Sequence, residues 1–292
     1  MSLKPKLSEA IRERFDERFT FFICDQLFTQ TEASNLLKQF PTEVIESFRQ
    51  KHASHATLSS LRHPTEIESF LQESQAWREV YLWFTSNAFV SDVLRTFEEP
   101  ILAKYPLIIR VLFRRWILNE SRYYGEVQFS LRHTGSVLSP HTDNADKVLA
   151  LIVYFPGESE STPGGGTAFY RPRSRRSEFK VFGKYIRWGW LIPLRLRRLL
   201  SVKLPTSDSL DAMREVGEHL DFFDTHYQRV LDAPYVLGGA GGFIKNQFSW
   251  HDLRLHDFPP GGVRRSLLVN VFLRPSKARS FINRLSFFRR ST

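Results

Sequence analysis

The sequence predicts an α+β protein in which helices precede a mainly antiparallel β-structure, a β-sandwich or jelly roll. Apolar residues recur at helical spacing up to about residue 97, whereas residues 123–132 alternate apolar and polar side chains. A period of two is typical of a half-buried strand. Short strand-like segments separated by glycine turns follow. Helices first and short strands afterwards favour helices packed on a two-sheet core.

The N-terminal elements are predicted from their spacing and their end signals. Thr29 and Glu32 form a capping-box pattern that opens a helix ending before Pro41. The same reasoning predicts a short charged helix at residues 8–18, a strand at 19–24, a helix opened by Pro64, helical spacing over 77–97, and strands after Pro106.

Beyond residue 120 the pattern predicts strands with one interruption. The continuous apolar run 148–155 predicts a strand buried on both faces. A glycine turn at 164–166 precedes another strand, a short helix is predicted at 207–222, and further strands at 228–231, 243–244, 250–255 and 263–273. We therefore expect one domain (1–292) with a helical part (1–120), a β-core (121–273) carrying an insertion at about 171–205, and a tail (274–292).

The composition is that of a globular protein in a reducing compartment. Of 292 residues, 42% are hydrophobic, which is enough chain for one large core. Cys24 is the only cysteine, which excludes a disulfide framework. The N-terminus lacks the apolar stretch of a signal peptide, and no run approaches about 18 uncharged apolar residues. These features predict a cytoplasmic protein without a membrane-spanning helix.

The net charge of +10 is concentrated in two segments. Residues 171–203 hold eleven Lys/Arg and one acid, and residues 274–292 hold six Lys/Arg and no acid. The rest of the chain has 24 basic and 30 acidic residues, a net charge of −6. Because both segments are strongly basic on an acidic body, they predict an anionic partner.

An anionic membrane surface fits these two segments better than nucleic acid does. Cationic segments rich in Trp, Phe and Leu lie in the headgroup plane of anionic bilayers. Lys and Arg interleaved with rings also contact phosphates and stack on bases. However, Trp188, Trp190 and the leucines around them are bulkier and more aliphatic than a stacking platform needs. We expect peripheral membrane binding through 171–203 and 274–292, with nucleic acid as the alternative.

A metal-site pattern lies just before the buried strand at 148–155. His141 and Asp143 are two residues apart, and on an extended strand such residues project to the same face. Alone, a His-x-Asp pattern recurs by chance and fits a solvated turn. A second imidazole, His251, follows a glycine-rich segment, and Arg264 opens an apolar strand where a cation needs an anion. Two histidines and one carboxylate hold Fe(II) on one face and leave three positions open.

Four motifs, taken in order, resemble the Fe(II)/2-oxoglutarate-dependent dioxygenases. They are Pro140-His-Thr-Asp-Asn, Gly165-Gly-Thr-Ala-Phe-Tyr, Ser249-Trp-His-Asp-Leu and Arg264-x-Ser-Leu. Residues 19–25 and the capped helix after them also resemble the start of the prolyl-hydroxylase-like branch. The resemblance covers roughly residues 123–273 and implies a double-stranded β-helix, the jelly-roll fold of the cupins, with N-terminal helices packed on it. The long separation of Asp143 from His251 departs from the family, and we attribute it to an inserted lid or docking element.

Carried over to this sequence, the resemblance implies that His141, Asp143 and His251 are the iron ligands of the catalytic centre. Arg264 would pair with the distal carboxylate of 2-oxoglutarate, with Ser266 two residues on and on the same face. A planar guanidinium suits a carboxylate because it donates two parallel hydrogen bonds. Fe(II), 2-oxoglutarate as co-substrate and O₂ are the implied requirements.

Four further residues have weaker or competing assignments. Arg265 replaces Arg264 if the strand is shifted by one residue, and His256 competes with His251 as the third ligand. On a continuous strand His256 would point to the opposite face, because the separation of the two histidines is odd. Tyr154 and Asn246 are candidate contacts to the co-substrate, although core packing and turn formation are their commoner roles.

The resemblance extends to the bacterial Kdo hydroxylases, which act on the Kdo sugar of a lipid A precursor at the inner membrane. It implies an anionic, lipid-linked sugar substrate and a cytoplasmic enzyme bound peripherally to the inner face of the membrane. The alternatives are a protein (prolyl-type) or nucleic-acid hydroxylase of the same chemistry, and a non-catalytic cupin-like membrane adaptor. A zinc cupin isomerase is a lesser alternative, because it does not account for Arg264.

Overall fold

The computed structural model describes residues 4–16, 19–49, 55–134, 136–143, 146–158, 160, 165–185, 210–246, 249–254 and 258–274. Its helices are α1 (Leu7–Ala10), α2 (Gln30–Lys38), α3 (Thr42–Ser47), α4 (Pro64–Glu73), α5 (Gln75–Phe84), α6 (Asn87–Thr96), α7 (Glu98–Leu102), α8 (Leu107–Ile117), α9 (Arg175–Tyr185) and α10 (Leu210–His226). Its strands are β1 (Ile11–Asp16), β2 (Thr20–Cys24), β3 (His55–Ser59), β4 (Tyr123–His133), β5 (Val137–His141), β6 (Lys147–Tyr154), β7 (Ala168–Pro172), β8 (Tyr227–Asp232), β9 (Ala240–Ile244), β10 (His251–Arg254) and β11 (Val263–Leu273).

The strands form two antiparallel sheets. The larger sheet has the order β1-β2-β9-β6-β11-β4-β3, and the smaller has the order β5-β10-β7-β8. From β4 onward the chain passes repeatedly between the sheets, so β4, β6, β9 and β11 lie in the larger and β5, β7, β8 and β10 in the smaller. This alternation is the topology of a double-stranded β-helix, and the predicted fold class is confirmed.

The two faces of the larger sheet differ in character because its strands alternate. On β4, Val127, Phe129 and Leu131 belong to the main hydrophobic core, which the N-terminal helices cover. The residues between them point the other way and line a cavity: Gln128, Ser130 and Arg132. β11 repeats the pattern along its paired register with β4. The helices therefore cover one face of this sheet, and the other is left to build a site.

Two predictions for the N-terminal part are wrong. Residues 8–18 were expected to form a helix, but only the four-residue α1 is helical there, and residues 11–16 form β1. Arg12, Arg14 and Asp16 are exposed at alternating positions between the half-buried Ile11, Glu13 and Phe15, and the backbone pairs with β2, with Asp16 opposite Thr20. Strands β1, β2 and β3 all join the larger sheet, so the part expected to be helical also extends the β-core.

Strands were also expected directly after Pro106, yet Leu107–Ile117 is the helix α8. Its content of Ile and Val favours a strand, but Pro106 stands at the N-cap, where the missing N–H costs nothing. The backbone leaves helical geometry at Phe113. None of the helices in the described ranges is long and apolar enough to cross a membrane.

Several predictions are confirmed closely. α2 has both hydrogen bonds of the capping box, between Thr29 and Glu32. β11 spans residues 263–273 as expected, and the bounds of α10 differ from those of the predicted helix by three and four residues. The start of the basic insertion forms α9, which packs on α10 through Val181 and Phe223. Residues 186–209 of the insertion and 275–292 of the tail lie outside the described residues.

Candidate metal centre

Two histidines and one aspartate from distant parts of the chain meet at one point. Donor atoms of His141, Asp143 and His251 all lie within 4.8 Å of one another. The cause is strand pairing, because β10 runs antiparallel to β5 and places His251 opposite His141. The centroids of the two imidazole rings are 4.2 Å apart. β5 ends at His141, so Asp143 lies just beyond the strand rather than on it.

Both imidazoles are oriented by their own backbone. Nδ1 of His141 lies 3.0 Å from the carbonyl oxygen of Ser139, and Nδ1 of His251 lies 3.0 Å from that of Ser249. A carbonyl only accepts, so each Nδ1 carries the proton and each Nε2 is left with its lone pair. Nε2 of His141 faces Oδ1 of Asp143 at 3.6 Å. Hydrogen bonds of this kind are what orient histidines that bind metals.

The charge states of the cluster suit a cation. Burial lowers the pKa of His251 to about 3, with the neighbouring His141 acting in the same direction, so the His251 imidazole is neutral near pH 7. Burial alone would raise the pKa of Asp143, but Lys147 and the two histidines override it and hold that pKa well below its usual value. Nζ of Lys147 lies 2.9 Å from Oδ2 of Asp143 and leaves Oδ1 facing the histidines.

The cluster forms one wall of a cavity of about 250 Å³ between the two sheets. The polar face of the larger sheet, including its edge strand β3, forms other walls. Its cationic and polar lining is Arg62, Arg132, Lys147, Arg264, His55, Thr57, Gln128, Ser130, Thr167, Asp252, Ser266 and Asn270. Four lysines and arginines thus face Asp143 and Asp252, and the cavity favours an anionic occupant.

Arg264 lies in this cavity as a buried cation. Only 3% of it is exposed, its Nε donates to the carbonyl of Gly165, and its Nη1 donates to Ser266 Oγ at 3.0 Å. The guanidinium lies 5.2 Å from the ring centroid of Tyr154 and 5.6 Å from that of Tyr235. Across the described ranges of the chain, no carboxylate pairs with Arg264. Such a burial is costly unless an anion compensates it.

Arg265, the alternative to Arg264, lies on the opposite face of β11. Its Nη1 is 2.6 Å from Oε2 of Glu160, and its backbone N–H donates to the hydroxyl of Tyr235. Arg265 therefore already has a carboxylate partner and does not line the cavity. Of the two consecutive arginines, only Arg264 faces the cluster.

The four remaining predicted residues differ in where they lie. Ser266 lines the cavity and supports Arg264. Tyr154 lies behind Arg264, with its hydroxyl donating to Thr167 Oγ1 at 2.9 Å, and contacts the guanidinium rather than the open space. Asn246 is not in the cavity wall, because its backbone closes a turn with Ser249 before β10. The competing ligand His256 lies outside the described residues.

The glycine run before β7 serves close packing. A Cβ on Gly166 would lie 1.5 Å from the carbonyl oxygen of Ala233, and one on Gly165 would lie 2.6 Å from the ring of Tyr235. Only glycine permits this approach. It places the Gly165 carbonyl against Arg264, so the turn helps to hold the guanidinium in the cavity.

Sequence reasoning missed several residues of the site. Lys147 lies four residues after Asp143, a spacing that is visible in the sequence once the aspartate is suspected. His55, Arg62 and Arg132 reach the cavity from β3, from the turn after it and from β4, and β3 was not predicted. Such residues are brought together by strand pairing alone, which leaves no local signal.

The donor set fits a divalent transition metal. Two neutral imidazoles and one carboxylate on one side, with a cavity on the other, match the arrangement that holds Fe(II) in non-haem oxygenases. The cavity also offers a buried, uncompensated guanidinium, which fits the far carboxylate of a small dicarboxylate.

No family model and no curated protein sequence matches the chain. Solved structures with a similar fold include a Pseudomonas putida prolyl-4-hydroxylase, with 11% identity and a TM-score of 0.43 over 87% of this chain and 92% of that chain. EvdO2 from Micromonospora carbonacea var. aurantiaca complexed with 2-oxoglutarate has 11% identity and a TM-score of 0.43 over 92% and 90%. HygX from Streptomyces hygroscopicus with iron bound has 13% identity and a TM-score of 0.39 over 87% and 82%.

Proposed function

We propose that the chain is an Fe(II)- and 2-oxoglutarate-dependent hydroxylase that acts on an anionic, membrane-associated substrate. The observation that carries the proposal is the meeting of His141, Asp143 and His251 within 4.8 Å in a cavity that also contains Arg264. A metal site alone fits many activities. Here the metal site lies beside a buried arginine that has no carboxylate partner among the described residues. This arrangement fits a co-substrate that binds the metal at one end and has a second carboxylate at the other.

The chain's own residues have distinct parts in this reaction. His141, Asp143 and His251 would hold Fe(II) through Nε2, Oδ1 and Nε2, and Arg264 would hold the distal carboxylate of 2-oxoglutarate. With both bound, such a centre couples the oxidative decarboxylation of 2-oxoglutarate by O₂ to hydroxylation of a C–H bond.

Preorganisation of these residues limits the rearrangement that binding requires. The backbone carbonyls of Ser139 and Ser249 fix the ring orientations, and Lys147 fixes the carboxylate. Phe243 packs 4.3 Å from the His251 ring, between centroids, and helps to exclude water on that side. Exclusion of water protects a reactive centre from side reactions.

The best candidate substrate is the Kdo sugar of a lipid A precursor in lipopolysaccharide biosynthesis. Arg62 and Arg132 line the cavity beyond the metal ligands, and Arg62 is exposed at its mouth. Such cations suit a sugar carboxylate, and the basic segments 171–203 and 274–292 suit the phosphates of a lipid-linked acceptor and an anionic inner membrane surface. The enzyme would then work in the cytoplasm, bound peripherally to the membrane.

A panel of acceptors tests this assignment. Purified protein with Fe(II), 2-oxoglutarate and O₂ would be assayed for succinate with a Kdo-lipid A precursor, free Kdo, a proline-containing peptide and a single-stranded oligonucleotide. Succinate formation that is matched by hydroxylated Kdo-lipid supports the proposal. Turnover that is stimulated only by the peptide or the oligonucleotide assigns the same chemistry to a different substrate.

The Asp143→Ala variant separates an enzyme from a non-catalytic adaptor. It removes the only carboxylate of the donor set, and we expect succinate formation to fall to background while the fold is retained. A variant that keeps full turnover would contradict the assignment of the metal centre. Zinc in place of iron in protein purified without chelators, with no effect of 2-oxoglutarate, would favour the isomerase alternative.

A further inference from the structure

We propose that α8 is a membrane-docking surface that seats its exposed apolar face in an anionic bilayer. Nine large apolar side chains are exposed among the described residues, and six of them lie on this one helix. They are Leu107, Ile108, Val111, Leu112, Phe113 and Trp116, with exposed fractions from 47% to 72%. This surface consists of residues other than 171–203 and 274–292, the segments expected to contact a membrane.

So many exposed apolar side chains on one helix indicate a binding surface. Single exposed leucines are ordinary, but contiguous apolar patches on a soluble surface mark an interaction site. Ile117 is the buried residue of this helix and Ile109 packs partly against the main core, while the other large apolar side chains face outward. The face is convex, as the side of a single helix, and fits a deformable layer of lipid better than a rigid groove.

The charges around the helix select an anionic layer. Residues 105–119 contain three arginines and no Asp or Glu. Arg115 is exposed on the helix, and Arg114 pairs with Glu98. Beyond the C-terminus of the helix, the guanidinium of Arg122 lies 3.3 Å from the centroid of the Trp116 ring. A tryptophan flanked by arginines is typical of the headgroup region of a bilayer.

The basic tail leaves the described part of the chain at this helix. The backbone N–H of Arg274 donates to the carbonyl of Arg122 at 2.7 Å. The eighteen residues after Arg274 hold five Lys/Arg and no acid. The described chain thus ends beside Arg122 and continues into a basic sequence, and an apolar face together with basic residues is the combination that binds anionic lipid peripherally.

A line of contacts joins this surface to the metal centre. Lys147, which holds Asp143, lies 5.7 Å from the ring centroid of Phe272, and that ring stacks on Tyr124 at 5.5 Å. Arg274 lies 5.8 Å from the Tyr124 centroid. All of these residues belong to one end of the larger sheet, where β4 and β6 begin and β11 ends. A lipid-linked acceptor would thus be met near the cavity; that step rests on the proposed function, whereas the docking surface does not.

Vesicle flotation of the full-length protein tests the proposal. Phosphatidylcholine vesicles with and without phosphatidylglycerol would be compared for the parent chain, Val111→Glu, Leu112→Glu and Leu82→Glu. Leu82 is the matched control, because it is a leucine on another helix and is 56% exposed against 67% for Leu112. We expect binding only with phosphatidylglycerol, and a loss of about tenfold or more for each α8 variant but not for Leu82→Glu.

Trp116 supplies a second measurement. In a background in which Trp188 and Trp190 are replaced by Phe, lipids brominated in the acyl chains should quench part of the tryptophan fluorescence of the bound protein, and Trp116→Phe should remove that quenched part. Because these side chains are exposed, the variants should keep the parent's unfolding temperature. They should also keep its 2-oxoglutarate turnover in the absence of lipid, which separates a failure of docking from a failure of the proposed chemistry.

Three results would overturn the proposal. The first is unchanged vesicle binding by Val111→Glu and Leu112→Glu, and the second is a self-association in solution that these variants abolish while vesicle binding persists. The third is hydrogen exchange at α8 that is slow in the full chain and becomes fast after truncation behind Arg274, because the chain's own tail would then cover the face.

Discussion

The two faces of the seven-stranded sheet are built from the same strands but by different rules. Towards the helices, Phe129 packs against the rings of Phe40, Phe70 and Trp77, with centroids 5.6, 5.4 and 4.9 Å away. Towards the smaller sheet, one residue along the same strand, Ser130 lines a cavity that contains buried charges. One face has aromatic packing without charge, and the other has charges without full packing.

The face towards the helices stabilises the fold, and the face towards the cavity supplies residues of the candidate site. Buried aromatic contacts stabilise the fold, whereas a buried lysine or arginine costs free energy until a ligand compensates it. A substitution should therefore act on stability or on ligand binding according to the face it reaches. Neighbouring positions on one strand provide matched pairs for this test.

The largest effect is expected at the aromatic face. Phe129→Ala removes a fully buried ring and should lower the free energy of unfolding by about 3–5 kcal/mol. Gln128→Ala, one residue away and facing the cavity, should lower it by less than about 1 kcal/mol. Urea unfolding followed by circular dichroism measures both. Equal losses would mean that the two faces share the stabilising role.

Substitution of a buried lysine near Asp143 should instead raise the free energy of unfolding. Lys245 is 2% exposed, and burial lowers its pKa to about 8 from the usual 10.5. The folded state thus disfavours the charged form, a penalty fully present below pH 8 and relieved as the pH rises from 8 towards 10.5. Lys245→Met should raise the free energy of unfolding at pH 7 by about 3 kcal/mol. It should also remove the increase in stability that the parent shows as the pH rises from 8 towards 10.5.

The control for that measurement is Lys38→Met, since Lys38 is exposed. Unfolding free energies of the three proteins would be compared between pH 7 and pH 10.5. The prediction is wrong if Lys245→Met is less stable than the parent at pH 7, or if its pH dependence matches that of Lys38→Met.

The consecutive arginines provide the next pair. Arg264→Met should weaken 2-oxoglutarate binding about a hundredfold, because a charge-assisted bidentate pair is lost, without lowering stability. Arg265→Met should leave that affinity unchanged and lower the free energy of unfolding, because Glu160 loses its partner. Isothermal titration with 2-oxoglutarate and thermal unfolding distinguish the two. A loss of affinity in both variants would contradict the division of the strand into two faces.

The smallest effect is expected at Lys147. Its Nζ holds one oxygen of Asp143 and leaves the other facing the histidines. Lys147→Met should lower the affinity for Fe(II) about tenfold, and Lys147→Arg should restore most of it. Competition with a coloured chelator under anaerobic conditions gives the affinities. Full affinity in Lys147→Met would show that the carboxylate needs no support.

Much of the fold was predictable because its signals are local. The capping box of α2 and the alternation along β4 follow from periodicity and end residues. β1 and α8 were assigned to the wrong class for a shared reason. The charged residues of 11–16 suit a short helix as well as an edge strand, and the Ile and Val content of α8 suits a strand. Pairing with β2 decided the first case and Pro106 the second.

The candidate site was predictable in part for the same reason. His141 and Asp143 form a short pattern, and the resemblance pointed to His251 and Arg264. Residues that arrive by strand pairing carried no such signal, so Arg62 and Arg132 were missed. The choice between Arg264 and Arg265 needed the register of β11 against β4 and β6, which sets the side of the sheet each arginine faces.

The central claim is that three side chains hold a metal next to an arginine that holds a dicarboxylate. Anaerobic titration of the protein with Fe(II) and then 2-oxoglutarate tests it directly, by the visible charge-transfer absorption of a keto acid chelating iron. We expect a band that saturates with one equivalent of each, is absent in His251→Ala, and in Arg264→Met needs about a hundredfold more 2-oxoglutarate. A parent protein without this band, or a band unaffected in His251→Ala, would contradict the account.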